Sequence, residues 1–161
     1  DRRDDPRGAR GVRLKGDRRP EEVVIVVRRP GESGIEYLVL LRSPEKLGYW
    51  HLVAGGVDWD EEPAAAGARG LEEEKGLVTV PQPLGGSLAY DLAGDPEPVR
   101  ARFPPGRERS TVWPFVADAP MGWDPELDEE HVAAQWAEQD AAIALLRYPE
   151  PREAIRRAAS S

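Results

Sequence analysis

Residues 50–77, Trp-His-Leu-Val-Ala-Gly-Gly-Val-Asp-Trp-Asp-Glu-Glu-Pro-Ala-Ala-Ala-Gly-Ala-Arg-Gly-Leu-Glu-Glu-Glu-Lys-Gly-Leu, constrain this chain more than any other stretch. An apolar run from Trp50 to Ala54 reads as a short strand, broken at Gly55-Gly56. Glu62-Pro63 followed by three alanines reads as a helix start, since proline is tolerated in the first turn and alanine is the best helix former. Lys75-Gly76 supplies a cation for the last turn and a glycine able to turn left-handed. The segment is therefore strand, glycine loop, helix.

This arrangement concentrates acids: Asp58, Asp60 and Glu61 before the helix, Glu73 and Glu74 near its end. Arg69 and Glu73 are four apart and share a face, so Arg69 is expected to fix the Glu73 carboxylate. Taken alone, such a helix is a solvated acidic face carrying one Arg–Glu pair. Clustered carboxylates also suit a hard divalent ion, which takes oxygen ligands and keeps waters and substrate phosphates.

The spacing decides between these readings. It resembles the Nudix box: Gly, five residues, Glu, seven residues, Arg-Glu, an aliphatic residue, any residue, Glu-Glu, any residue, Gly, an aliphatic residue. Here Gly55, Glu61, Arg69, Leu71, Glu73, Glu74, Gly76 and Leu77 occupy the fixed positions, and Gly70 stands where the family has Glu. The resemblance implies an α/β/α sandwich with a mixed β-sheet. It also implies a metal-dependent hydrolase that cleaves a diphosphate linkage by water attack at phosphorus. Mg²⁺ or Mn²⁺ would be held by Gly55, Glu61, Glu73 and Glu74, with Glu73 and Arg69 in the catalytic set. Gly70 lies three and four residues before Glu73 and Glu74, so the carboxylate it lacks would have faced the same region. Glu72, two positions on, points elsewhere. Glu130, or less directly Glu129, is the candidate to enter from a distant acidic loop as base or extra ligand. The alternative is a catalytically weak member of the family that binds a nucleotide-like ligand.

A shorter likeness lies at the C-terminal end. Glu130-His131, Trp136, Leu145-Leu146-Arg147-Tyr148 and Arg152-Glu153-Ala154-Ile155 resemble the ends of Nudix proteins related to dihydroneopterin triphosphate diphosphatase. A small nucleotide or pterin polyphosphate is the partner this implies. Candidate phosphate-binding residues are Arg42 and, from the Arg-rich stretch 93–110, Arg107 and Arg109, because guanidinium matches phosphate in two-pronged fashion. Trp59 offers either a stacking surface for a base or pterin ring or an anchor for its own loop. Trp50, Trp113 and Trp136 read as core, and His131 as structural, with no second histidine at ligand spacing.

The remaining pattern fits one domain. Residues 1–20 are polar and read as a tail, leaving 21–161 as the Nudix domain. Strands are expected at 23–28, 37–42, 78–80, 87–92, 111–117 and 131–136, with a break at 81–86 and helices over 138–146 and after Pro151. The chain lacks cysteine, which excludes disulfides and thiolate sites and suits a cytoplasmic setting. A net charge of −8 argues against a nucleic-acid polymer as partner. No apolar run approaches the roughly 20 residues of a membrane span, and no secretory signal is visible. A homodimer is left open.

Overall fold

The computed structural model describes residues 21–91 and 109–161. The expected tail, and Arg107 with most of the Arg-rich stretch, lie outside these residues. Strand β1 (Glu21–Pro30) is the spine of the sheet. Its run Val23 to Val27 is buried on both faces, as a β-branched strand covered from two sides must be. Alternation then divides it. Val24 and Val26 join one core with Ala142, Leu146, Ala154 and Ile155, whereas Val23, Ile25 and Val27 join another with Ala66, Leu71 and Leu77.

Those two cores explain the layering. Helix α1 (Pro63–Lys75) packs on one face, and helices α2 (Gln139–Leu145) and α3 (Pro149–Ala159) cover the other. The other strands are β2 (Ile35–Arg42), β3 (Trp50–His51), β4 (Val53–Gly56), β5 (Gln82–Pro83), β6 (Leu88–Asp91), β7 (Arg109–Asp118) and β8 (His131–Ala137). β1 runs parallel to β7, from Glu21↔Thr111 to Arg28↔Asp118, and the other pairings are antiparallel, so the sheet is mixed. This is the expected α/β/α sandwich.

Some expectations change. β1 pairs with β2 at Arg28↔Tyr37 to Pro30↔Ile35, then with β4 at Val23↔Gly55 and Glu22↔Gly56. The two glycines therefore continue the strand rather than break it. Without side chains they lie in the ladder directly before the loop to α1. Residues 78–80 form no strand: Val78 and Val80 are 76% and 75% exposed, with no core to hold them. The pairing moves instead to Gln82–Pro83, inside the expected break, against Val116 and Phe115 of β7. β7 also begins earlier than expected, at Arg109.

Candidate active site

Helix α1 carries Arg69, Leu71, Glu73 and Glu74 of the box, and its ends are set locally. Pro63 opens it after extended Glu62, and Gly76 closes it at φ 76°, donating its N–H to Glu72 and Leu71 carbonyls. A Cβ on Gly67 would sit 3.5 Å from Ile25 Cδ1, so this glycine lets the helix lie close to β1. Leu71 is fully buried beneath it. Glu72 turns to solvent, whereas Glu73 and Glu74 are half-buried, Glu74 with an oxygen near Gly55 of β4.

The loop between β4 and α1 is fastened by one guanidinium. Arg69 Nε donates to Glu61 Oε2 at 2.8 Å and Nη2 donates to Glu61 Oε1 at 2.7 Å. The same Glu61 Oε1 accepts the Asp58 N–H at 3.1 Å, and the Glu61 N–H returns to the Asp58 carbonyl at 3.0 Å. Arg69 Nη1 lies 3.7 Å from Glu73 Oε1. The predicted Arg69–Glu73 relation is therefore the longer of two contacts, and the close partner is Glu61. Hydrogen bonding to Glu61 raises the Arg69 pKa above its ordinary value against the opposing effect of burial, with the Glu73 and Glu74 charges adding to it.

Glu61 thus directs both carboxylate oxygens to Arg69. Glu74 is placed differently. Its Oε2 lies 3.6 Å from where a Cβ on Gly70 would stand and 4.0 Å from one on Gly55. Two predicted site positions, Gly55 and Glu74, therefore meet, and bare backbone at Gly55 and Gly70 leaves room around that oxygen. Among the described residues, no three His, Asp or Glu side chains gather closely enough to hold a metal by themselves. The donor set nevertheless fits a hard divalent ion of the kind held by one or two carboxylates and completed by waters and substrate phosphates.

The acidic loop before β8 comes to the end of the same helix. Glu126 N–H donates to the Lys75 carbonyl at 3.2 Å, and Trp123 Nε1 donates to the Gly76 carbonyl at 3.4 Å. Asp128 Oδ1 accepts the N–H groups of Glu130 and His131, both at 2.9 Å. The Glu130 carbonyl accepts the Ser43 N–H at 2.8 Å, and its half-exposed carboxylate lies 3.9 Å from Lys46 Nζ.

Where β2 meets β8, polar side chains cluster beside this loop. Arg42 pairs in register with His131, and its guanidinium stands 5.4 Å from the Tyr49 ring centre. Arg42 Nε, Ser43 Oγ and His131 Nδ1 are buried with no hydrogen-bond partner among the described residues. Burial, then the Lys75 charge, lowers the His131 pKa to about 4. His51 falls to about 3 through burial, Arg42 and His131, and its Nδ1 accepts the Leu52 N–H at 2.7 Å. His131 is buried at the start of β8. Trp59 is 53% exposed on the glycine loop. Trp50, Trp113 and Trp136 pack against the cores, as expected.

Sequence reasoning missed Lys75, which it read only as a helix-ending cation. Lys75 is completely buried. The signal was its spacing: four residues after Leu71, it continues the buried stripe of α1.

The sequence model of the NUDIX domain matches residues 18–158. The chain is 30% identical over 140 residues to an octanoyltransferase of Myxococcus xanthus, a match covering 87% of this chain and 36% of that protein. It is 32% identical over 113 residues to an RNA pyrophosphohydrolase of Rhodospirillum rubrum, covering 66% of this chain and 65% of that one. The chain thus spans less than two thirds of either relative. The structure of the E. coli dihydroneopterin triphosphate pyrophosphohydrolase superposes with a TM-score of 0.72 at 25% identity, covering 88% of this chain and 96% of that one. Box spacing, the mixed sheet between helices and the match over nearly the whole chain agree, and the chain belongs to the NUDIX domain family.

Proposed function

We propose that this chain is a divalent-metal-dependent pyrophosphohydrolase acting on a nucleoside or pterin triphosphate, or on a related nucleoside diphosphate derivative. The observation that carries the reading is the Glu74 carboxylate beside the bare backbone of Gly55 and Gly70, on a helix whose Arg69 ties down Glu61 and approaches Glu73. Membership of the family supports pyrophosphohydrolase activity on nucleotide-like substrates.

In this reading Glu73, Glu74 and the Gly55 backbone hold Mg²⁺ or Mn²⁺, with Glu61 assisting through the loop that it shapes. When bound, such an ion polarises phosphate oxygens and acidifies a coordinated water. The chain's own residues do the rest. Arg69 fixes the loop and the Glu73 carboxylate. Arg42, only partly buried at the end of β2, offers its guanidinium to a substrate phosphate. Trp59 offers its exposed ring to the base or pterin. Arg109, at the start of β7, and Arg107 are the further candidates for phosphate. Glu130 takes the proton of the attacking water as the new P–O bond forms and the bridging P–O bond breaks, releasing diphosphate from a triphosphate or the phosphorylated remainder of a diphosphate derivative.

Gly70 favours a second reading, a member of the family that binds a nucleotide-like ligand and barely turns it over. A panel of nucleoside triphosphates, dihydroneopterin triphosphate and ADP-ribose, with Mg²⁺ or Mn²⁺, separates the two. Release of pyrophosphate from a triphosphate, or of AMP and a sugar phosphate from ADP-ribose, supports the hydrolase. Binding without release supports the second reading.

A further inference from the structure

We infer that Lys75 and Asp128 form a latch that fixes the Glu130 backbone against helix α1, so that both are positioning residues for the acidic loop. The inference rests on the hydrolase reading only where it concerns turnover. Lys75 is the largest completely buried side chain of the described residues, and it sits directly after Glu73-Glu74. A lysine with no solvent contact must find its partners in the protein, because an uncompensated buried ammonium is strongly unfavourable. Among the described residues, those partners come from the acidic loop. Lys75 Nζ donates to the Glu126 carbonyl at 3.2 Å and lies 3.5 Å from Asp128 Oδ2.

Asp128 carries the constraint onward. While one carboxylate oxygen faces Lys75, the other accepts both the Glu130 and His131 N–H groups. The Glu130 carbonyl is held from its other side by Ser43. Glu130 is thus clamped at its N–H and at its C=O, and the N–H clamp is oriented by a lysine belonging to the helix of Glu73 and Glu74. The loop also cannot slide: Glu126 pairs backbone to backbone with Lys75, and Trp123 donates to Gly76. Neither Lys75 nor Asp128 needs to touch substrate. Their role is to set where the Glu130 segment stands relative to α1.

The test compares Lys75→Met, Asp128→Asn and Asp128→Ala in the full chain. Asn keeps an oxygen for the two N–H groups and removes only the charge, whereas Ala removes both. Backbone amide exchange over 126–131, read against α3 as an internal reference, is expected to accelerate about tenfold in Lys75→Met and Asp128→Ala, and less in Asp128→Asn. Unchanged exchange in both Lys75→Met and Asp128→Ala overturns the latch. If Lys75→Met does not fold, the two Asp128 variants decide alone. With ATP and Mg²⁺, Lys75→Met and Asp128→Ala are expected to lower kcat about tenfold at unchanged KM. Adding Glu130→Gln to either should then cost little more, and multiplicative losses overturn the positioning of Glu130. A native chain that hydrolyses no panel compound defeats the hydrolase reading, while the exchange data still decide the latch.

Discussion

Arg69 grips Glu61, eight residues before it, with two hydrogen bonds of 2.8 and 2.7 Å, and both side chains are only 16% exposed. The pair closes the loop between β4 and α1 and is the main organiser of the box. A planar fork makes both bonds and a lysine ammonium makes one. Arg69→Lys is therefore expected to destabilise the fold by about 1–2 kcal/mol, and Arg69→Ala by about 3 kcal/mol as Glu61 loses its partner. Denaturant titration measures both. Full stability in Arg69→Ala would show that the loop is held by other contacts.

Glu74→Gln tests the metal assignment separately. The change is isosteric and removes the charge beside Gly55 and Gly70. Calorimetric titration with Mn²⁺ is expected to show affinity reduced by about tenfold or more, a loss of at least 1.4 kcal/mol. Equal affinity in the two proteins would remove Glu74 from the site.

Gly70 offers a gain rather than a loss. A Cβ there meets nothing closer than Glu74 Oε2 at 3.6 Å, an ordinary contact, and the residue lies within a helix. Gly70→Ala should stabilise the chain by about 0.5–1 kcal/mol, raising Tm by a few degrees. Gly70→Glu adds a carboxylate to the Glu73–Glu74 face. If Glu130 is the base, Glu130→Gln slows the native enzyme and Gly70→Glu recovers part of that rate. Turnover indifferent to Glu130→Gln would place the base elsewhere.

The fold was legible because its signals are periodic: the β-branched run of β1, the alternation that feeds two cores, and the Pro63 and Gly76 boundaries of α1. The box residues were legible as a set through their spacing. Their pairing was not. Helical geometry brings Glu73 to Arg69, but Glu61 reaches it from a loop, and only the folded path of residues 57–62 puts it there. The buried Lys75 escaped for a similar reason. A lysine in the last turn has a sufficient local explanation, while its partner Asp128 lies 53 residues away in sequence. Residues 78–80 show the opposite error, since valines suggest a strand but cannot make one without a neighbouring edge.

The two histidines give the fold a pH dependence whose sign follows from their burial. An exposed histidine in the unfolded chain titrates near 6.5, whereas folded His131 titrates at about 4 and His51 at about 3. Both folded values are depressed, so between the folded and unfolded values the unfolded chain takes up protons that the native chain refuses. Stability is complete above about pH 7, falls as pH drops through 6.5, and stops falling from this cause once the folded groups also protonate, near 4 and then 3. Each histidine contributes a slope of up to about 1.4 kcal/mol per pH unit within its window. Asp128, lowered by the His131 N–H and Lys75 despite its burial, adds to the loss at more acidic pH. Urea titrations at pH 7.5, 6 and 5 are expected to show falling midpoints, and His131→Asn should flatten the trend by removing one of the two groups. A midpoint that holds constant from pH 7.5 to 5 would mean that both histidines accept protons in the native state, and that the Arg42–His51–His131 cluster is open to water.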